Sequence, residues 1–333
     1  MIELEEVDEH TYQIAHYAIE PLPREAVVDG NIIQLETVID AVRKSFRKLG
    51  SRTKLTALAM PSASVITKKI KTPAGLSEEE LEIQVETEAA QYIPFPLEEV
   101  NLDFQVIGPS KDAPDELDIL IAAARKEKIE DRVAVAEGAG IRPVIMDVEH
   151  HALQASYSEI RKALHSKSTE DITAVIDIGA TLTHIVVFQD NEIVYNREQT
   201  FGGDLLTQEI ASRYDMSTEE AEHGKKYGGL PAEYSLEVLE PYQDTLVQEV
   251  MRLLQFFYSS THYNEINHIV LAGGTSLLPG LPALISQAAN IQTDLANPFQ
   301  LMQSGPKIKT SQLYTDAPML LVACGLALRK FDS

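Results

Sequence analysis

The chain has 333 residues, with 28 Lys+Arg against 51 Asp+Glu and a net charge of −23. That charge repels phosphate backbones and anionic lipid, which argues against nucleic-acid binding and direct docking on a membrane surface. An apolar fraction of 44% excludes wholesale disorder, and the length suits two domains or one large split domain.

One dense basic cluster stands out: Arg43, Lys44, Arg47 and Lys48. It falls at the end of a predicted helix, where cations favour the dipole. Cys324 is the single cysteine. No disulfide can form within the chain, and a reducing compartment is the default. The apolar run 320–328 is too short to cross a bilayer. The acidic start (Glu3, Glu5, Glu6) offers no positive n-region, so no secretory signal is expected and the chain reads as cytoplasmic.

Residues 12–19 have strand composition and end at Pro21-Leu22-Pro23. Leu35, Val38, Ile39, Val42, Phe46 and Leu49 then follow the helical period, and Gly50 stops it. Strands are predicted over 54–60 and 64–71. Ser77-Glu78-Glu79-Glu80 is a capping box that opens a helix with Leu81, Val85, Ala89 and Tyr92 on its apolar face. Pro94 and Pro96 end it. Glu78, Glu79, Glu82 and Glu86 form a solvated outer face.

Strands follow over 101–107 and 117–124, around a polar turn with Lys111, Asp112 and Pro114. A helix over 126–139 and a strand over 142–147 complete an α+β unit, 63–147, that reads as an insertion. A helix over 149–164 and a polar linker over 166–171 lead to three strands, Ile172–Ile178, Thr183–Gln189 and 193–199. Asp204 is the expected N-cap of the next helix. Helical segments at 217–227 and 235–263, a strand over 266–272, a helix from Pro279 and a closing helix over 317–331 finish the chain.

Three glycine turns could carry chemistry. Residues 174–183 run from an apolar strand through Asp177, Gly179 and Thr181 into a return strand. Such a turn can aim backbone N–H groups at an anion, while Asp177 holds a divalent cation through water. The same residues also make a plain hairpin with a permissive glycine. Ile269–Ser276 carries Gly273, Gly274 and Thr275 after a buried strand, where glycine allows close backbone approach, or simply a strand-to-helix turn. Phe201-Gly202-Gly203-Asp204 opens a helix and is either an anion site or a tight helix entry. Glu222 and Lys225, three apart on one helix, pair at least with each other. His150 and His151 are adjacent, diverge by about 100° on a helix and cannot chelate one metal. There is no zinc spacing, nucleophile elbow or Walker P-loop.

The order of these motifs resembles the actin-like ATPase superfamily: α/β, two domains, a ribonuclease H-like fold. Residues 177–181 are similar to its second phosphate hairpin and residues 269–276 to its adenosine motif. The helix from Glu149 is similar to its first connecting helix. Segment 63–147 resembles the extra subdomain of the FtsA family. A narrower resemblance, to the type IV pilus assembly PilM family, rests on five stretches. They are Ala18-Ile19-Glu20-Pro21-Leu22-Pro23, Gln91-Tyr92-Ile93-Pro94-Phe95, Asp147-Val148-Glu149, Phe201-Gly202-Gly203-Asp204 and Gly228-Gly229-Leu230-Pro231.

The resemblance implies the following. ATP with Mg²⁺ is the cofactor. Asp177 holds Mg²⁺ through water, and Gly179, Ala180 and Thr181 contact phosphates. Gly202 and Gly203 border the nucleotide. Gly273, Gly274 and Thr275 line the adenosine and α-phosphate. Glu222 and Lys225 are the acidic and basic pair near the adenosine, and Glu149 orients the attacking water. The domains implied are 1–62 and 148–171 for the first actin-like domain, 63–147 for the insert and 172–333 for the second, with 205–264 its small helical part. The start, Met1-Ile2-Glu3-Leu4-Glu5, resembles the end of the strand after the first phosphate hairpin. That hairpin, with its Asp and Ser, is expected to be absent, so nucleotide should bind less well and turn over slowly at most. The implied role is a cytoplasmic scaffold recruited to the inner-membrane platform. Its implied partners are an N-terminal cytoplasmic peptide of PilN and other platform proteins. The alternatives are an FtsA-like division scaffold, a type II secretion scaffold, or an active ATPase or kinase.

Overall fold

The computed structural model describes residues 1–110, 113, 115–164 and 171–331. The predicted turn residues Lys111, Asp112 and Pro114, and the predicted linker up to residue 170, lie outside the described residues. Two compact units form: His16–His151 with Met1, and Ile2–Ala15 with Ala152–Ser333.

In the first unit, β3 (Val27–Val28) and β4 (Asn31–Ile32) make a small hairpin before α1 (Leu35–Leu49). Gly50 ends α1 in the left-handed conformation, at φ 70°, and donates its N–H to the Phe46 carbonyl. The basic cluster is a solvated helix end: Arg43 bonds Asp40 and the Gly138 carbonyl, and Lys48 pairs with Glu20. Strand β5 (Leu55–Met60) pairs in parallel with β9 (Arg142–Val148).

Between β5 and β9 lie β6 (Val65–Pro73), α2 (Glu78–Ala89), β7 (Val100–Pro109), β8 (Glu116–Arg125) and α3 (Lys126–Gly138). The three strands form an antiparallel sheet in the order β6-β8-β7. Its buried face joins Ile70, Ile119 and Ile121 to Val85 and Ala89 of α2. Ser77 and Glu80 form the reciprocal capping box that opens α2. One expectation is corrected here: Tyr92 is not on the helix. The last turn tightens, with the Tyr92 and Ile93 amides both bonding the Ala89 carbonyl ahead of Pro94. Tyr92 is exposed, and the Lys68 ammonium lies 4.9 Å from its ring centre.

In the second unit, β1 (Ile2–Asp8), β2 (Thr11–Tyr17) and β15 (Gln303–Ser304) form a small sheet. Glu9 and His10 link the first two strands, and His10 takes the positive φ of 56°. The main sheet has the order β12-β11-β10-β13-β14. Its members are β10 (Ile172–Ile178), β11 (Thr183–Gln189), β12 (Glu192–Gln199), β13 (His268–Ala272) and β14 (Gln292–Leu295). Strand β10 runs antiparallel to β11 and parallel to β13.

The central strand is buried on both faces, which is why its sequence is a nearly continuous apolar run. Ala174, Ile176 and Ile178 face a core shared with Leu206, Leu253 and Phe257. Val175 faces the other, with Leu153, Tyr157, Phe188 and Leu321, where Tyr157 stacks on Phe188 at 4.2 Å between centroids. The helices of these layers are α4 (Glu149–Ala163), α5 (Gly203–Tyr214), α6 (Thr218–Tyr227), α7 (Glu240–Ser260), α8 (Leu281–Ala289), α9 (Thr310–Asp316) and α10 (Leu321–Leu328).

Two predicted helices are divided. Residues 235–239 form a π turn before α7, and the Glu240 amide bonds the Ser235 carbonyl five residues back. Pro241, in the first turn of α7, lacks the N–H that would continue a regular ladder. The closing helix is a 3₁₀ turn, α10, then a second 3₁₀ turn. The first holds Pro318.

Candidate functional site

All the glycine turns singled out from the sequence lie in the second unit. Parallel pairing puts Asp177 beside Ala272, so β10 and β13 end together and their turns emerge side by side. Ligands of open α/β sheets bind at such strand ends.

The first turn closes on itself, with the Gly179 amide donating to the Leu182 carbonyl at 2.9 Å. Ala180 and Thr181 at its tip are exposed. Among the described residues, their amides have no backbone acceptor. They are therefore donors available to an anion.

The second turn is locked to the first. Gly203 N–H donates to the Gly179 carbonyl at 3.0 Å and Asp204 N–H to the Ala180 carbonyl at 2.8 Å. Thr183 Oγ1 donates to the Phe201 carbonyl at 2.8 Å. A Cβ at Gly202 would fall on the Ala180 carbonyl, so glycine is needed there for close approach. Gly202, not Asp204, is the N-cap of α5, and no side chain caps it. The carbonyls of the first turn do that work, which displaces the expected Asp204 cap. Gly202 and Gly203 are buried, and the first amides of α5 are already paired. The motif thus supplies close approach, not free donors.

The third turn meets both. Thr275 Oγ1 donates to the Gly179 carbonyl at 2.8 Å. Gly273 has φ +81°, and a Cβ there would strike the Ile178 carbonyl and Asp177 Oδ1. Its amide donates to the Pro318 carbonyl at 2.8 Å. Gly274 is exposed at the surface of this turn. Asp177 is half-buried under it, and burial pushes its carboxyl up from 3.8 to about 6. His184, its cross-strand neighbour, offsets part of that rise. Among the described residues no three His, Cys, Asp or Glu side chains cluster as a metal cage. Asp177 is a carboxylate at the end of β10 beside Gly273 of the third turn, which suits a cation held through water.

Glu222 and Lys225 are held against α5. Lys225 Nζ lies 2.5 Å from Glu222 Oε2, 2.7 Å from Thr207 Oγ1 and 3.4 Å from the Gly203 carbonyl. Thr207 Oγ1 donates to Glu222 Oε2 at 2.7 Å, and Lys226 reaches Oε1 at 2.9 Å. Burial alone would raise the Glu222 carboxyl, but hydrogen bonds from Lys225, Lys226 and Thr207 hold it at about 2. Thr207 and Thr183 escaped the sequence reading. Thr207 could have been found, one helical turn after Gly203 on the same face.

Glu149 belongs to the first unit, where it heads α4. There its charge raises the Arg132 guanidinium against the larger, opposite effect of burial. Arg132 itself donates to the Gly30 carbonyl at 2.7 Å.

A mixed sheet whose strand ends carry these interlocked turns has the actin-like ATPase fold. A solved ethanolamine utilization protein EutJ from Carboxydothermus hydrogenoformans shares it, with TM-score 0.51 and 18% identity over 91% of this chain and 77% of that one. The chain belongs to the family of the type IV pilus assembly protein PilM, which matches residues 1–331. It is similar to the solved PilM-PilN type IV pilus biogenesis complex, with TM-score 0.81 and 27% identity over 100% of this chain and 95% of that one. It is also 23% identical to the cell division protein FtsA of Bacillus subtilis (strain 168), across 87% of this chain and 74% of FtsA. Among the described residues, no helix is long and apolar enough to cross a membrane.

Proposed function

We propose that this chain is an actin-like, nucleotide-binding scaffold of the type IV pilus assembly platform. Its ligand is ATP with Mg²⁺, and its partner is a short N-terminal cytoplasmic peptide of PilN. It works in the cytoplasm and reaches the inner membrane through that partner. The observation that carries the partner is the end-to-end similarity to the PilM-PilN complex.

The ligand reading is supported by the convergence of three glycine turns on the Gly179 carbonyl, with Asp177 beside Gly273. Ala180 and Thr181 offer amides to phosphate oxygens, and Gly273, Gly274 and Thr275 let backbone approach the nucleoside side. Asp177 would hold Mg²⁺ through water. When bound, the metal neutralises charge on the phosphates. Glu149 is the candidate to orient an attacking water, and turnover is slow at most. In domain terms, residues 1–62 and 148–171 make the first actin-like domain and 172–333 the second, with 205–264 as its helical part. Segment 63–147 is the partner-specific insert.

Calorimetric titration of MgATP into the wild type and Asp177→Ala tests the ligand. Micromolar binding that the variant loses is expected. Titrating the PilN peptide with and without MgATP then tests coupling, since closure on a ligand changes partner affinity by linkage. Steady phosphate release near about 1 s⁻¹, the low end for dedicated phosphotransferases, would make the chain an enzyme instead. The second reading, a division scaffold, is favoured by the likeness to FtsA. It expects no affinity for the PilN peptide.

A further inference from the structure

We propose that Met319 and the bare peptide of Gly274 form a platform for the flat face of the nucleotide's base. This assignment rests on the nucleotide reading and deepens it, by naming the residues that meet the base rather than the sugar or phosphates.

Gly202, Gly203 and Gly273 are explained inside the fold. A Cβ at each would fall on a backbone or hydroxyl oxygen of a neighbouring turn. Gly274 is different. Its φ lies outside the left-handed region. Beyond its chain neighbours, the nearest described atom to a Cβ there would be Met319 Sδ at 3.7 Å, an ordinary contact. Nothing in the described fold calls for glycine at 274. It is also the exposed residue of its turn, with Gly273, Thr275 and Ser276 buried on either side. A glycine that the packing does not need still offers close approach of backbone to a ligand.

The second observation comes from a distant stretch of chain. In the run Ala317–Leu321, Ala317, Pro318, Leu320 and Leu321 are buried, while Met319 is 38% exposed. The run forms the 3₁₀ turn that divides the predicted closing helix. The Gly273 amide donates to the Pro318 carbonyl at 2.8 Å, which fixes Met319 beside the third turn. One exposed methionine would be ordinary by itself. Here the side chain turned out of a buried run is the one that borders the unneeded glycine.

The two surfaces suit one part of a nucleotide. A base is apolar on its faces and polar at its edges. A thioether is polarizable and makes favourable contacts with aromatic rings. Ribose and phosphate, polar on every side, gain nothing from it.

The test begins with protein carrying ¹³C-labelled methionine methyl groups. Met319→Leu identifies the Met319 signal by its loss. MgATP should move that signal upfield, as ring current does over the face of a base, and Mg-tripolyphosphate should leave it in place. Calorimetry then compares the wild type with Met319→Ser, Gly274→Ala and Leu301→Ser, the last an exposed apolar residue elsewhere and the control. Met319→Ser and Gly274→Ala should each weaken MgATP about tenfold, the upper end of a sulfur–aromatic contact, and bind tripolyphosphate as the wild type does. Met319→Leu should retain most of the affinity, and Leu301→Ser all of it. The urea midpoint of Gly274→Ala should not fall, because its methyl meets no close atom. A Met319 signal that stays in place when MgATP binds, or Gly274→Ala with wild-type MgATP affinity, would overturn the platform and leave the nucleotide reading standing. If the wild type binds no MgATP, the nucleotide reading falls and the platform with it.

Discussion

Thr275 Oγ1 donates to the carbonyl of Gly179 at 2.8 Å, across 96 positions of sequence. The same carbonyl takes the Gly203 amide at 3.0 Å. One oxygen therefore ties together three turns that the chain supplies from three separate places. Neither bond is strong alone, since a net hydrogen bond contributes about 1 kcal/mol. Their value is that each turn's position becomes a condition on the other two.

Thr275→Val removes the hydroxyl while keeping shape. The expected stability loss is about 1 kcal/mol, because the Gly179 carbonyl keeps its other donor. Nucleotide affinity should fall more than stability does. Urea denaturation and MgATP calorimetry on the same protein compare the two. Equal affinity for wild type and variant would separate Thr275 from the site.

Gly273→Ala meets two obstacles at once. The backbone sits at φ +81°, and the added methyl lands on the Ile178 carbonyl and the Asp177 carboxyl. The expected cost is about 1–3 kcal/mol, with MgATP binding lost. Gly280→Ala is the comparison. It also has positive φ, but open space lies around it. It should lose stability through strain alone and bind as the wild type does.

Asp177 gives a pH signature. Its folded carboxyl is raised to about 6 from an ordinary 3.8, so the native state holds a proton that the unfolded chain has released. The group's stabilising contribution is complete below about pH 4 and is lost as pH rises through about 6. At most about 3 kcal/mol is involved, at 1.36 kcal/mol per unit. Asp177→Asn removes that slope. The variant should be more stable than the wild type at pH 7.5, equal to it near pH 4, and unable to bind MgATP. Urea midpoints at the two pH values decide it. A variant that is less stable at pH 7.5 would contradict the burial argument.

Gly325→Ala tests the packing behind the sheet. A Cβ there would overlap the Ala152 carbonyl, where α10 crosses α4. The expected loss is about 1–3 kcal/mol from overpacking, read as a lower thermal midpoint. Cys324→Ala, next to it and fully buried, leaves a small void instead and should cost less.

Much of this molecule is local and therefore readable from its sequence. The strand β10 declares itself as an apolar run because it is buried on both faces. The helices α2 and α6 start where they should, since Ser77 and Ser217 each form a capping box within four residues. Gly50 ends α1 by its left-handed turn. What local pattern missed has local exceptions behind it: the π turn before Pro241, and the tightened end of α2 that left Tyr92 outside the helix.

The positions of the candidate site residues were legible as glycines, an aspartate and hydroxyls at the ends of strands. Their division of labour was not. Asp204 looks like a cap in sequence, yet Gly202 takes that place and the carbonyls of Gly179 and Ala180 receive the first helical amides. Glu222 and Lys225 pair with each other as their spacing suggests, but their bonds to Thr207 and the Gly203 carbonyl are not readable from it. The sequence by itself determined which backbone conformations and faces each segment could take, because those depend on neighbours within a few residues. Only the tertiary structure decided which oxygen receives which proton, because a hydrogen bond spanning 22 or 96 positions exists only once packing has brought the two turns together.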